Sequence, residues 1–288
     1  MSRNKQRSKA AVSSTPTANT GADLTQASPS TLSYVTPTEF VELPSRGKFY
    51  SPDHPLHGEE TIELRYMTAK DEDILTSRAL LKNGLAIDRL LEGLVTNKEI
   101  NPNNLLIGDK NALLVAARIS GYGEDYTVAV NCPSCNANNE HNFDLSELSL
   151  NHGVQPDEDN NSGVTQTDRG TFVAKLPRSS YSVEFRLLTG DDENYLAKSE
   201  AQLAKHNLPD ASATTLLKRL SVSVNGVTDV GEINNFIDSM PAQDARHLRA
   251  CVQIVTPNVD MTQDIECSSC GIVTEMEVPF TSEFFWPQ

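Results

Sequence analysis

The sequence predicts an α+β protein of two similar halves, each built from strands, a few helices and a zinc-knuckle hairpin, with the knuckles paired as one zinc ribbon. Three observations predict it. Two Cys-x-x-Cys pairs, Cys132-Pro133-Ser134-Cys135 and Cys267-Ser268-Ser269-Cys270, stand far apart in the chain. Each lies between strand-like runs: Tyr126–Val130 and Asn142–Leu145 around the first, Asp264–Glu266 and Ile272–Val278 around the second. The segments leading to each pair also follow one order in both halves, and an internal repeat fixes the architecture.

Residues 1–37 are rich in Ser, Thr, Ala and Asn and hold almost no large apolar groups, so they read as a disordered tail. Arg3, Lys5, Arg7 and Lys9 form a basic cluster there, either a solvated tail or a docking arm for an acidic surface.

The first half is expected over 38–150. Val41–Pro44 leads to a strand at Thr61–Arg65 and then to Met67–Leu75. Thr68 is an N-cap with Asp71 at the third helical position, as in a capping box. The acidic first turn suits the positive end of the helix dipole. A helical pattern runs through Ile74, Leu75 and Leu81 to a stop at Gly84. Ile87, Leu90, Leu91 and Leu94 make the apolar face of a second helix. Leu113, Leu114, Ala116 and Ala117 mark a third, ended by Ser120-Gly121.

Residues 151–170 are polar and read as the linker between the halves. Asp157, Asp159, Asn161 and Asp168 fall at calcium-loop positions, but Ser162 stands where that loop needs Gly. Calcium is not expected.

The second half, 171–288, repeats the plan. Val173–Pro177 leads to Ser182–Arg186 and then Leu188–Leu196, where Thr189 and Asp192 repeat the capping pattern. Leu216–Leu220 parallels Leu90–Leu94, and Asp244–Val252 parallels Asn111–Ile119. Ile233, Phe236, Ile237 and Met240 form one stripe. Leu248, Cys251, Val252 and Val255, begun by Pro241, form another, which makes Cys251 a core thiol.

A tight turn carrying two thiolates at a hairpin tip is a zinc knuckle, and two facing knuckles supply four sulfurs in a tetrahedron. Cys132, Cys135, Cys267 and Cys270 are therefore the expected ligands of one structural Zn²⁺. A redox dithiol needs its cysteine at a helix N-terminus, whereas both flanks here alternate like strands. His141 could replace a ligand, but four cysteines suffice. His54 and His57 are close enough to share a metal, without a partner pair of suitable geometry.

The five cysteines, read with no apolar leader, fit a reducing compartment. No apolar run approaches the ~20 residues of a membrane span. The net charge of −15 argues against nucleic acid as the main partner, and acidic neighbours at both knuckles argue against a nucleic-acid-binding zinc ribbon. Phosphate-binding GxxxxGK[ST], dinucleotide GxGxxG, HExxH and GxSxG motifs are absent, so no enzyme activity is expected. One loop stands out. Arg46, Lys48, Phe49 and Tyr50 put cations and aromatics together, as at contact surfaces, and the second half has only Leu176–Tyr181 in its place. The alternative is a hairpin that packs on its own domain.

Leu43–Tyr50 with Ile62–Leu75, Leu105–Leu113 and Gly121–Tyr126 resembles the T4-type phage baseplate protein family, over roughly residues 38 to 280. The resemblance is to a hub-associated member. It implies a protein that builds the hub of a contractile-tail baseplate through contacts with other baseplate hub proteins and has no enzyme activity. It places the chain in the host cytoplasm during assembly and in the virion tail baseplate. An assembly chaperone that leaves the finished particle is the alternative.

Overall fold

A computed structural model describes residues 35–153, 163–206, 211–279 and 284–285. The basic cluster of the tail and the calcium-like positions 157–162 lie outside these. Thr36–Gln288 forms one compact unit, and buried side chains from both halves join a single apolar cluster, from Leu43 to Phe285.

The first half opens with an antiparallel pair, β1 (Thr38–Glu42) and β2 (Thr61–Arg65), with Phe40 opposite Glu63. The helices α1 (Ala69–Thr76), α2 (Arg78–Lys82), α3 (Ala86–Leu94) and α4 (Ile107–Tyr122) follow. The single helix expected from Asp71 to Gly84 is broken at Ser77, whose extended backbone (φ −68°, ψ 107°) ends α1 and begins α2. Serine competes for its own backbone and favours such caps. The helix expected to stop at Ser120-Gly121 continues to Tyr122. Gly121 lies within the helix and against Met67, where an added Cβ would lie 2.8 Å from Sδ, and Gly123 (φ 87°) supplies the stop. The hairpin β3 (Asp125–Asn131) and β4 (Asn138–Asp144) carries the first cysteine pair at its turn, and β5 (Ser149–Asn151) follows.

Within the stretch expected as linker, Val164–Gln166 is a strand, β6, that pairs with β7 (Phe172–Lys175). With β8 (Ser182–Phe185) and β9 (Ser221–Val224) these make a four-stranded sheet in the order β6-β7-β8-β9. The helices are α5 (Gly190–Lys205), α6 (Ser212–Leu220), α7 (Val230–Ser239) and α8 (Ala242–Val255). Then come β10 (Asn258–Asp260), β11 (Thr262–Glu266) and β12 (Val273–Glu277), with the second cysteine pair between the last two. Strand β10 pairs with β5, so the chain after one hairpin binds the chain before the other.

Several local devices occur once in each half. Arg65 grips Asp71 with two bonds (2.6 and 2.7 Å) and donates to Gly93 O, while Thr68 caps α1 through the same carboxylate. Arg186 grips Asp192 (2.5 and 2.8 Å) and donates to Arg219 O, while Thr189 caps α5. Asp109 and Asp244 are each the third residue of their helix, and each accepts a backbone N–H from the turn after the Leu-Pro step: Ser45 to Asp109 at 2.9 Å, Arg178 to Asp244 at 2.7 Å. Asp109, rather than the Asn111 expected to parallel Asp244, makes the contact like that of Asp244, and both aspartates stand equally far before the first cysteine of the pair that follows.

Candidate metal centre

The site begins with two turns of the same shape. Cys132 N–H donates to Ala137 O (2.9 Å) and Asn136 N–H donates to Cys132 O (2.8 Å). Cys267 N–H donates to Ile272 O (3.0 Å) and Gly271 N–H to Cys267 O (2.8 Å). The fourth residue after each first cysteine has left-handed backbone, φ 58° at Asn136 and 67° at Gly271. Asn and Gly adopt that conformation at least cost. It folds each turn so that both of its sulfurs face the other hairpin.

The turns meet. Cys132 Sγ lies 3.8 Å from Cys270 Sγ, and Cys135 Sγ 3.6 Å from Cys267 Sγ. All four sulfurs lie within 4.8 Å of one another. A Zn–S bond of ~2.3 Å in a tetrahedron implies sulfur separations of ~3.8 Å, so the cluster fits one metal ion. Cys132 and Cys267 are buried, while Cys135 and Cys270 are exposed. Val130, Ile265 and Met276 lie against the buried pair. Asn139 Nδ2 reaches Cys267 Sγ at 3.5 Å and its Oδ1 accepts from Ser268 Oγ, which fixes the amide across the two hairpins.

The four sulfurs shift one another's titration. The backbone N–H groups of Cys270 and Ser269 pull Cys267 down to about 6. The Ile272 contact lowers Cys270, but burial and the neighbouring sulfurs more than reverse this and push it up to about 12. Sulfurs this close titrate as one coupled group, in which successive negative charges conflict unless a counter-ion is present. A dication removes that conflict.

The metal-centre turns sit within a longer match. A family described as T4 bacteriophage base plate protein matches residues 36–286. The chain belongs to this family. No curated protein and no solved structure matches it.

In this baseplate protein, the loop residues singled out by composition do not form one exposed surface. Tyr50 is an internal residue: its hydroxyl donates to Asp109 Oδ2 (2.7 Å) and accepts from Leu106 N–H (3.1 Å). Burial and the adjacent carboxylate push the phenol well above its usual range, so it stays a neutral donor. Phe49 packs on Phe172, with centroids 5.5 Å apart. Arg46 is half-buried and bonds His152 Nε2 (2.9 Å), which leaves Lys48 as the exposed member. Gly47 (φ 67°) is obligatory, because a Cβ would lie 2.5 Å from Leu56 O. His54 stacks on Tyr50 and His57 Nδ1 contacts Tyr50 O, so both serve the loop. His141 packs on Phe143 and takes no part in the sulfur cluster.

The sequence reading missed Lys110. Its ammonium is buried between Asp88 (3.0 Å) and Glu193 (3.1 Å), so it joins the two halves. No sequence signal marks it, because a lysine at the start of a helix reads as surface.

Proposed function

We propose that Cys132, Cys135, Cys267 and Cys270 hold one structural Zn²⁺, that the halves are copies of one ancestral unit stapled by it as a zinc ribbon, and that the protein serves in the hub of the phage tail baseplate through protein–protein contacts. The family match over residues 36–286 carries the baseplate reading. The recurring Arg–Asp–Thr clamps, the Asp109 and Asp244 contacts and the matching turns support duplication. Bound zinc would supply cross-linking, with apparent energies on the order of 10–16 kcal/mol for such sites. Four sulfur ligands leave no open position for water, which assigns the metal a structural role. A fixed orientation of the halves suits a part that presents surfaces to symmetric partners.

Lys48, on the loop that the second half lacks, is the best-placed residue for a partner contact. Lys48 is expected to meet acidic surface on a neighbouring baseplate protein. Complementation of a phage lacking this gene tests the reading, together with mass spectrometry of purified tails and of host lysate. The wild-type chain is expected to restore plaques and to appear in tails at a fixed ratio to the hub. The Lys48→Glu chain is expected to stay folded and fail. A chain found only in the lysate points to an assembly factor that departs, and full complementation by Lys48→Glu removes the loop from the contact.

A further inference from the structure

All four sulfurs lie within 4.8 Å of one another, and two close contacts cross between the hairpins: Cys132 with Cys270 at 3.8 Å, Cys135 with Cys267 at 3.6 Å. Each couple joins one exposed cysteine to one buried cysteine of the other hairpin. An oxidant arriving from solvent therefore reaches one sulfur of each couple, with a resolving sulfur already in contact across the gap. The fifth thiol, Cys251, is buried on α8 beside His247 (3.4 Å) and lies outside the cluster.

We propose that oxidation converts the metal staple into a covalent one, with disulfides Cys132–Cys270 and Cys135–Cys267 across the hairpins. The starting state of this conversion rests on the zinc reading of the same site. The oxidant is a small-molecule disulfide of the glutathione class. The exposed Cys135 thiolate attacks it, forms a mixed disulfide and expels one thiolate. The Cys267 thiolate attacks the Cys135 sulfur, closes the cross-hairpin disulfide and expels the second thiolate. Cys270 and Cys132 repeat the sequence with a second oxidant molecule. Each closed disulfide gives two electrons to one oxidant disulfide, which leaves as two thiolates that take protons from water, and the metal, stripped of thiolates, departs as the dication.

The arrangement keeps the halves joined in both redox environments. A chain folded around zinc under reducing conditions stays cross-linked when it passes to an oxidising medium, where disulfides persist. Disulfides closed within each Cys-x-x-Cys would do the opposite and unlink the hairpins.

The test uses the full-length protein, purified under reducing conditions and then freed of reductant. It is incubated with glutathione disulfide, alkylated and mapped by peptide mass spectrometry, while a chromophoric chelator follows zinc release. Cross-links 132–270 and 135–267 are expected, with release of bound zinc in step and Cys251 still alkylated after denaturation. Links 132–135 and 267–270 overturn the proposal and leave the zinc reading intact. Cross-hairpin links in protein that held no zinc support the pairing and remove the zinc reading instead. The Cys132→Ser/Cys270→Ser chain keeps one cross-hairpin couple and is expected to close 135–267. The Cys132→Ser/Cys135→Ser chain keeps only a pair within one turn and is expected to close 267–270 more slowly than the cross-hairpin couple closes. The reverse behaviour of the two chains overturns the proposal.

Discussion

Asp71 and Asp192 each sit almost fully buried under an arginine fork. Burial alone raises a carboxyl pKa. The bonds from Arg65 and Thr68 more than reverse this at Asp71, as those from Arg186 and Thr189 do at Asp192, and both are held at about 2. A depressed carboxyl stabilises the fold above its unfolded value, near 4, and loses that contribution as pH falls through its folded value. Stability is therefore expected to drop between about pH 4 and pH 2, and chemical denaturation across that range measures it. Asp192→Ala leaves Arg186 and Arg219, both partly exposed, without their shared partner and is expected to cost about 1.5–3 kcal/mol at neutral pH. An acid profile unchanged in Asp71→Asn and Asp192→Asn chains would contradict the assignment. At this scale the capping residues Thr68, Asp71, Thr189 and Asp192 were legible, because their spacing is local. Asp109 was not, because its partners Ser45 and Tyr50 lie far back in the chain. A single aspartate in a first helical turn looks like a dipole residue and nothing more.

At the scale of elements, the two hairpins and the short β5–β10 pair hold the cysteine turns against each other. The start of α4 meets the segment before β10 so closely that a Cβ on Gly108 would lie 2.0 Å from Pro257 O. Backbone cannot yield as a flexible side chain does, so Gly108→Ala is expected to lower stability by about 1–3 kcal/mol or more. A thermal melt measures this, and a melt equal to wild type would show that α4 and β10 are not locked together. The hairpins themselves were legible from alternation around the cysteines. Three-residue strands such as β5 and β10 are too short to carry a period. The break at Ser77 was hidden because apolar spacing continues across it, from Leu75 to Leu81. The extension of α4 to Tyr122 was hidden because Gly121 reads as a stop until Met67 is seen against it.

Across the described residues, the contacts between the halves include the sulfur cluster, the β5–β10 pair and the buried Lys110. A bridge also joins Leu106 to Thr189. Lys110→Met strands Asp88 without its cation and is expected to cost about 3–5 kcal/mol, whereas Lys110→Met with Asp88→Asn is expected to recover most of it, since removing both charges spares the desolvation penalty. Denaturant titration of the three chains distinguishes this from a simple packing loss, which the second change would not repair. The α+β class and the pairing of distant cysteines could be read from the chain, because thiols at paired turns have few other uses. The cross-half lysine could not, because its partners Asp88 and Glu193 come together only in the folded state.

The zinc staple is the claim on which the rest depends, and metal content of the full-length protein purified under reducing conditions tests it most directly. Elemental mass spectrometry against protein concentration is expected to give one zinc per chain, lost in the Cys267→Ser chain. No metal in the wild-type chain, two zincs per chain, or a single zinc retained without Cys267 would contradict the account.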